Sequence, residues 1–85
     1  MTKEERARVA WLREEYPAGT RIVLDHMEDP YPVPDGTKGT VHSVDAVGNV
    51  NCQFDDGRYI GLCVEVDSFH KIHEQEEYFE PKMSM

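Results

Sequence analysis

The side chains able to do chemistry are few and scattered. Four histidines (His26, His42, His70, His73), two cysteines (Cys52, Cys63) and the adjacent carboxylates Asp55 and Asp56 make up the metal-binding and acid–base candidates. Zinc needs about four ligands converging, and usually shows them as paired close spacings. His70-x-x-His73, with Cys63 upstream, supplies one such pair. The expectation is therefore no bound metal and no cofactor, with Cys63, His70 and His73 as the zinc ligands if one is held. Asp55 and Asp56 fall in a tight Asp-Asp-Gly turn, which explains them by turn chemistry. Exposed and unconstrained there, they would make a poor acid–base pair. A serine or cysteine nucleophile motif, a phosphate-cradling glycine loop and a helical His-Glu-x-x-His are all missing. No catalytic residue is assigned, and an enzyme is not expected.

The elements that would position these groups are mostly strands. Val50, Cys52 and Phe54 alternate with Asn51, Gln53 and Asp55, the pattern of a strand with one dry face. Gly57 can close a hairpin after it. A two-residue turn would set Phe54 opposite Tyr59. A three-residue turn with a bulge at Gly57 would set Cys52 opposite Ile60 and Val50 opposite Leu62. The second register gathers the aliphatic residues on one face and is preferred, because a slip of one residue would expose them. Cys52 and Cys63 then point to opposite faces and cannot bridge, which fits a reducing compartment. Upstream, Gly36 and Gly39 frame the start of another strand, where a side chain would obstruct close backbone approach. Val41 and Val44 are three apart, so a bulge near His42 and Ser43 is needed to bring both into one core.

Thr2-Lys-Glu-Glu5 is a capping-box pattern, and Val9, Leu12 and Tyr16 follow at helical spacing. The prediction is a helix over Lys3–Glu15, stopped by Pro17. Glu4 and Arg8 are an i,i+4 ion pair. Ala7 and Trp11 widen the apolar stripe, with burial of Trp11 expected and a partner-binding role the alternative. Arg21–His26 reads as a strand with Ile22 and Leu24 on one face. Met27–Gly36 is a loop punctuated by three prolines, whose stiffness lowers the entropy cost of ordering it. Tyr31 lies between two of them, either as a contact residue or as a lid on the core. Asp67–His70 reads as a one-turn helix capped by Asp67. Phe69 and Ile72 would plug the interior, and Lys71–His73 would be a short last strand. Residues 74–85 read as an acidic tail, frayed and solvated, with a docking peptide around Tyr78 and Phe79 as the alternative.

Eighty-five residues are enough for one domain. The organisation expected is a helix over 1–16 packed on a β-barrel over 17–73, with the tail at 74–85. Without an apolar run long enough to span a membrane, or a secretory leader, a cytoplasmic location and no membrane partner follow by default. Net charge is −8. Met1–Leu24 carries five basic and four acidic residues, and Asp25–Met85 four basic and thirteen acidic. Such a surface repels phosphate backbones and attracts basic proteins, though solubility alone also explains it. Direct nucleic-acid binding needs a basic footprint, and the central strands offer only Lys38 and Arg58.

The order of elements is mainly β with one N-terminal helix, and five short strands with a long first loop are the layout of a small five-stranded SH3-like barrel. Tyr16-Pro-Ala-Gly-Thr-Arg-Ile, Met27-Glu-Asp-Pro, Pro34-Asp-Gly-Thr-Lys-Gly-Thr-Val41, Val44-Asp45 with Gly48, Phe54-Asp55-Asp-Gly57 and Asp67-Ser-Phe69 carry a family likeness. They resemble an uncharacterised SH3-like family of bacterial mobile elements and prophages, domain of unknown function 4314. Phe54 stands where that family's pattern has a tryptophan. The resemblance implies a mobile-element origin and no particular activity.

Two functions are expected from this. One is a non-enzymatic protein-interaction module, with Tyr31, Glu28, Asp29, Asp35 and Tyr59 as the partner-binding residues. The alternative follows from the implied origin. It is an anti-defence protein that binds a large basic nuclease, such as a CRISPR effector, and blocks nucleic-acid loading. A small-barrel nucleic-acid-associated protein is a third reading, which the charge disfavours.

Overall fold

The computed structural model describes residues 1–72. His73 and the acidic tail with Tyr78 and Phe79 lie outside the described residues. The chain forms helix α1 (Lys3–Glu15) and strands β1 (Arg21–His26), β2 (Lys38–Val44), β3 (Asn49–Phe54), β4 (Tyr59–Cys63) and β5 (Ser68–Lys71). The strands make one antiparallel sheet in the order β4-β3-β2-β1-β5.

Helix α1 begins where its capping box predicts. Thr2 Oγ1 accepts the Glu5 N–H at 3.0 Å, and Glu5 Oε1 accepts the Thr2 N–H at 2.8 Å. Val9 and Leu12 are buried in the common core, and Tyr16 packs against it. Trp11 is not buried: it is 54% exposed, and Ala7 is exposed with it. Two residues from Val9 is about 200° around a helix, so a helix that buries Val9 turns Trp11 away. The Glu4–Arg8 pair is likewise replaced. Arg8 reaches Glu65, in the turn after β4, and ties the helix to that turn.

The hairpin of β3 and β4 takes the three-residue register. Cys52 pairs with Ile60 and Val50 with Leu62. Gly57 has φ of +100°, and the Phe54 N–H closes the turn on the Arg58 carbonyl at 2.7 Å. Val50, Cys52, Phe54 and Leu62 are buried, and Ile60 packs against them partly covered. The ladder of β2 and β3 shifts between Val41 and Ser43, and both Val41 and Val44 are buried. A Cβ at Gly39 would stand 2.8 Å from the Phe54 ring, so only glycine fits beneath that aromatic.

The end of the described chain differs from the sequence expectation. Residues 68–70, expected as a helical turn, are strand, and with Lys71 they make up β5; of the strand expected over 71–73, Lys71 is in β5, Ile72 is outside it and His73 lies outside the described residues. Asp67 does act as a cap, but of a turn: its Oδ2 accepts the Cys63 N–H at 3.0 Å and its Oδ1 the Glu28 N–H at 3.1 Å. The outer edge of β1 offers unpaired backbone groups, and residues 68–71 pair with them. Phe69 packs on the core half-buried, and Ile72 is half-exposed.

Candidate functional site

Residues 27–37 form the longest connection between strands in the described chain, and it is built to hold one shape. Met27 and Val33 are buried and anchor it to the core. At its end, the Gly36 N–H donates to the Leu24 carbonyl at 2.7 Å, and the Thr37 hydroxyl donates to the Pro34 carbonyl at 2.7 Å. At its start, His26 lies between two carboxylates, Glu28 at 3.2 Å and Asp35 at 3.4 Å. That places one imidazole across the two ends of the loop.

The tip is fixed from both sides of Tyr31. Asp29 Oδ1 accepts the Tyr31 N–H at 2.8 Å. Arg58 spans from the β3–β4 turn and donates to the Tyr31 carbonyl at 2.7 Å and the Pro32 carbonyl at 3.1 Å. Asp56 sits 3.5 Å from the same guanidinium. With its backbone held, the Tyr31 side chain is 84% exposed. A lid would be covered by the core it closes, and this ring is not. Glu28, Asp29 and Asp35 are exposed on the same loop. Tyr59 follows Arg58 directly, half-exposed, and its hydroxyl lies 3.1 Å from His42 Nδ1 with the rings edge-on.

The sequence reading named Tyr31 and its acidic neighbours and missed Arg58 and His26. Their signal lies in the fold, because Arg58 meets Tyr31 only across 27 residues of chain. Asp55 is also corrected. It is not unconstrained: Arg21 donates to its two oxygens at 2.9 and 3.0 Å. Those hydrogen bonds hold its carboxyl below the ordinary carboxylate range, which makes it a poorer proton acceptor still. Asp45 is lowered too, by the backbone N–H groups of Asn49 and Val47 that it caps.

The zinc candidates are not brought together by what is described. Cys63 closes β4, while His70 lies on β5 with its Nδ1 3.0 Å from Asp25. Among the described residues no group of three or more His, Cys, Asp or Glu side chains is placed to hold a metal ion. Cys52 is fully buried, and burial pushes its thiol up to about 12. It is therefore protonated and inert at neutral pH.

No helix among the described residues is long and apolar enough to cross a membrane. No curated protein and no solved structure matches the chain. A family model does: the one described as Domain of unknown function (DUF4314), over residues 5–72.

Proposed function

The chain belongs to the DUF4314 family of domains of unknown function, and from that premise we propose that it is a non-enzymatic protein-interaction module. The observation that carries the reading is Tyr31, 84% exposed on a loop whose backbone is gripped from both sides. An aromatic ring held ready on a stiff loop contacts a partner without first losing chain entropy. Tyrosine is also among the residues that dominate binding energies. The exposed carboxylates of Glu28, Asp29 and Asp35 on the same loop give the surface an acidic character. The partner is a protein with a basic contact patch that has a pocket for an aromatic side chain.

The strand order, with β5 beside β1, supports an SH3-like small barrel as the scaffold. The resemblance of its motifs supports an origin on a mobile element or prophage. Net charge favours one more specific form of the same reading. An acidic protein of such origin would bind a large basic host nuclease, a CRISPR effector being the type, and keep nucleic acid from its channel. Direct nucleic-acid binding and a resident zinc are not part of this reading.

The test is affinity capture on the immobilised full chain, with Tyr31→Ala and Arg58→Ala alongside. A specific protein partner whose affinity falls at least ~30-fold with Tyr31→Ala is expected. Unchanged affinity would remove the loop from the interface. Undiminished cleavage by a candidate nuclease under a large excess of the protein would remove that nuclease.

A further inference from the structure

The sheet ends at β4, and the outer side of that strand keeps backbone groups to spare. The turn after β3 sets the pattern. The Phe54 N–H donates to the Arg58 carbonyl at 2.7 Å, so these two residues are a hydrogen-bonded pair. Such pairs alternate along an antiparallel ladder, so Ile60 and Leu62 also turn their N–H and C=O toward β3, opposite Cys52 and Val50. Tyr59, Gly61 and Cys63 turn theirs outward. Cys63 is satisfied locally: its N–H donates to Asp67 Oδ2 at 3.0 Å, and its carbonyl accepts the N–H groups of Val66 and Asp67. The backbone N–H and C=O of Tyr59 and Gly61 have no partner among the described residues. Two donors and two acceptors in that alternation match one more extended strand. The side chains agree. Ile60, on the core face, is only partly covered, and Gly61, on the face of Tyr59, has no side chain to obstruct a neighbour. This edge is also continuous with the Tyr31 loop, because Arg58, the residue before Tyr59, holds the Tyr31 and Pro32 carbonyls. The opposite edge, β5, is flanked by α1, whose Glu15 takes Lys71 Nζ at 2.8 Å.

We propose, resting on the Tyr31 loop as a contact surface, that the outer edge of β4 receives an extended, basic segment of the protein partner as a further antiparallel strand. The main chain of that segment bonds to Tyr59 and Gly61, and the loop beside it presents Tyr31 to the same partner. Charge chooses the occupant. The chain carries −8, and Glu28, Asp29 and Asp35 are exposed on the adjoining loop. A segment with lysine or arginine on either side of the paired residues is attracted there, whereas a second copy of this chain brings −8 to −8 and is repelled. An apolar residue opposite Ile60 completes the cover of that side chain, and an aromatic one opposite Gly61 fills the open space.

The probe is a short peptide with phenylalanine, valine and threonine at its centre and two lysines at each end, titrated into the isotope-labelled full chain. The amide signals of Tyr59 and Gly61 should shift and gain protection from exchange, while those of Ile60 and Leu62, already bonded to β3, stay as they were. Methylating the phenylalanine and threonine nitrogens removes the donors that face β4 and should weaken binding at least ~10-fold; methylating the valine nitrogen, which faces away, should not. Glutamates in place of the lysines should weaken binding at low salt. Tyr59→Pro removes one outward donor from the protein itself. An edge strand tolerates proline where the N–H faces solvent, so the far-ultraviolet spectrum should be unchanged and the peptide lost. Tyr59 and Gly61 amides that do not respond overturn the proposal, as does a response confined to Phe69 and Lys71. Self-association of the chain through the same two amides overturns it in favour of a second copy. Against a protein partner, Tyr31→Ala and Tyr59→Pro should each weaken binding. Loss with Tyr31→Ala alone keeps the loop in the interface and removes the edge; loss with Tyr59→Pro alone does the reverse.

Discussion

Cys52 and Cys63 show how far one residue type can diverge on neighbouring strands. Cys52 is in the core with its thiol pushed up to about 12, and Cys63 is half-exposed at the end of β4. A thiol reagent should therefore titrate one equivalent from the native protein and two in denaturant; two fast equivalents without denaturant would contradict the core placement. Asp55 and Asp45 give a pH signature. Both carboxyls are held below their ordinary values in the folded chain, by Arg21 and by backbone N–H groups respectively. Their contribution to stability is then complete above the unfolded value of about 4 and is lost as pH falls through the lower folded values. Urea midpoints should drop as pH falls below about 4, and the drop should be shallower in Asp45→Asn/Asp55→Asn. At this scale the sequence was readable wherever alternation decides: Val50, Cys52, Phe54 and Leu62 are all inside. Trp11 was misread because apolarity says a side chain prefers burial but not whether a neighbour reaches that side of the helix.

Helix α1 and strand β1 have the bounds that capping, proline and alternation predict, because local chemistry alone sets them. The β2 bulge was readable for the same reason: two valines three apart can share a face only with an extra residue between them. Strand β5 was not readable, since Asp67 and Ser68 have the local look of a helix start. What decides there is the bare edge of β1, which no local pattern reports. The stiffness of the loop at 27–36 was half legible. Its prolines pointed to it, but the Arg58 clamp on Tyr31 and Pro32 comes from tertiary approach. Removing that clamp by Arg58→Ala should cost about 1 kcal/mol locally and raise hydrogen exchange at the loop tip about fivefold, with the β3–β4 ladder unaffected. Exchange at the tip indistinguishable from the parent chain would mean the prolines suffice.

For the molecule as a whole, charge is the property with the longest reach. With −9 carried by Asp25–Met85, association with a basic partner should slow steeply between low salt and about 1 M, where screening shortens to roughly 3 Å. An association rate flat across that range would mean that apolar contact alone drives binding. The class of the architecture, mainly β with one leading helix, was legible from element order. The function was not, because a small sheet is a scaffold and its activity lies in what its loops present. The sheet order also bears on how the protein is made. β1 lies between β2, the next strand in the chain, and β5, the last strand described. As the chain leaves the ribosome, the successive hairpins from β2 to β4 can assemble early, while one side of β1 stays uncovered until Ser68–Lys71 emerge. Any stall in translation beyond Cys63 prolongs that interval, during which nascent copies on one messenger can stick to each other.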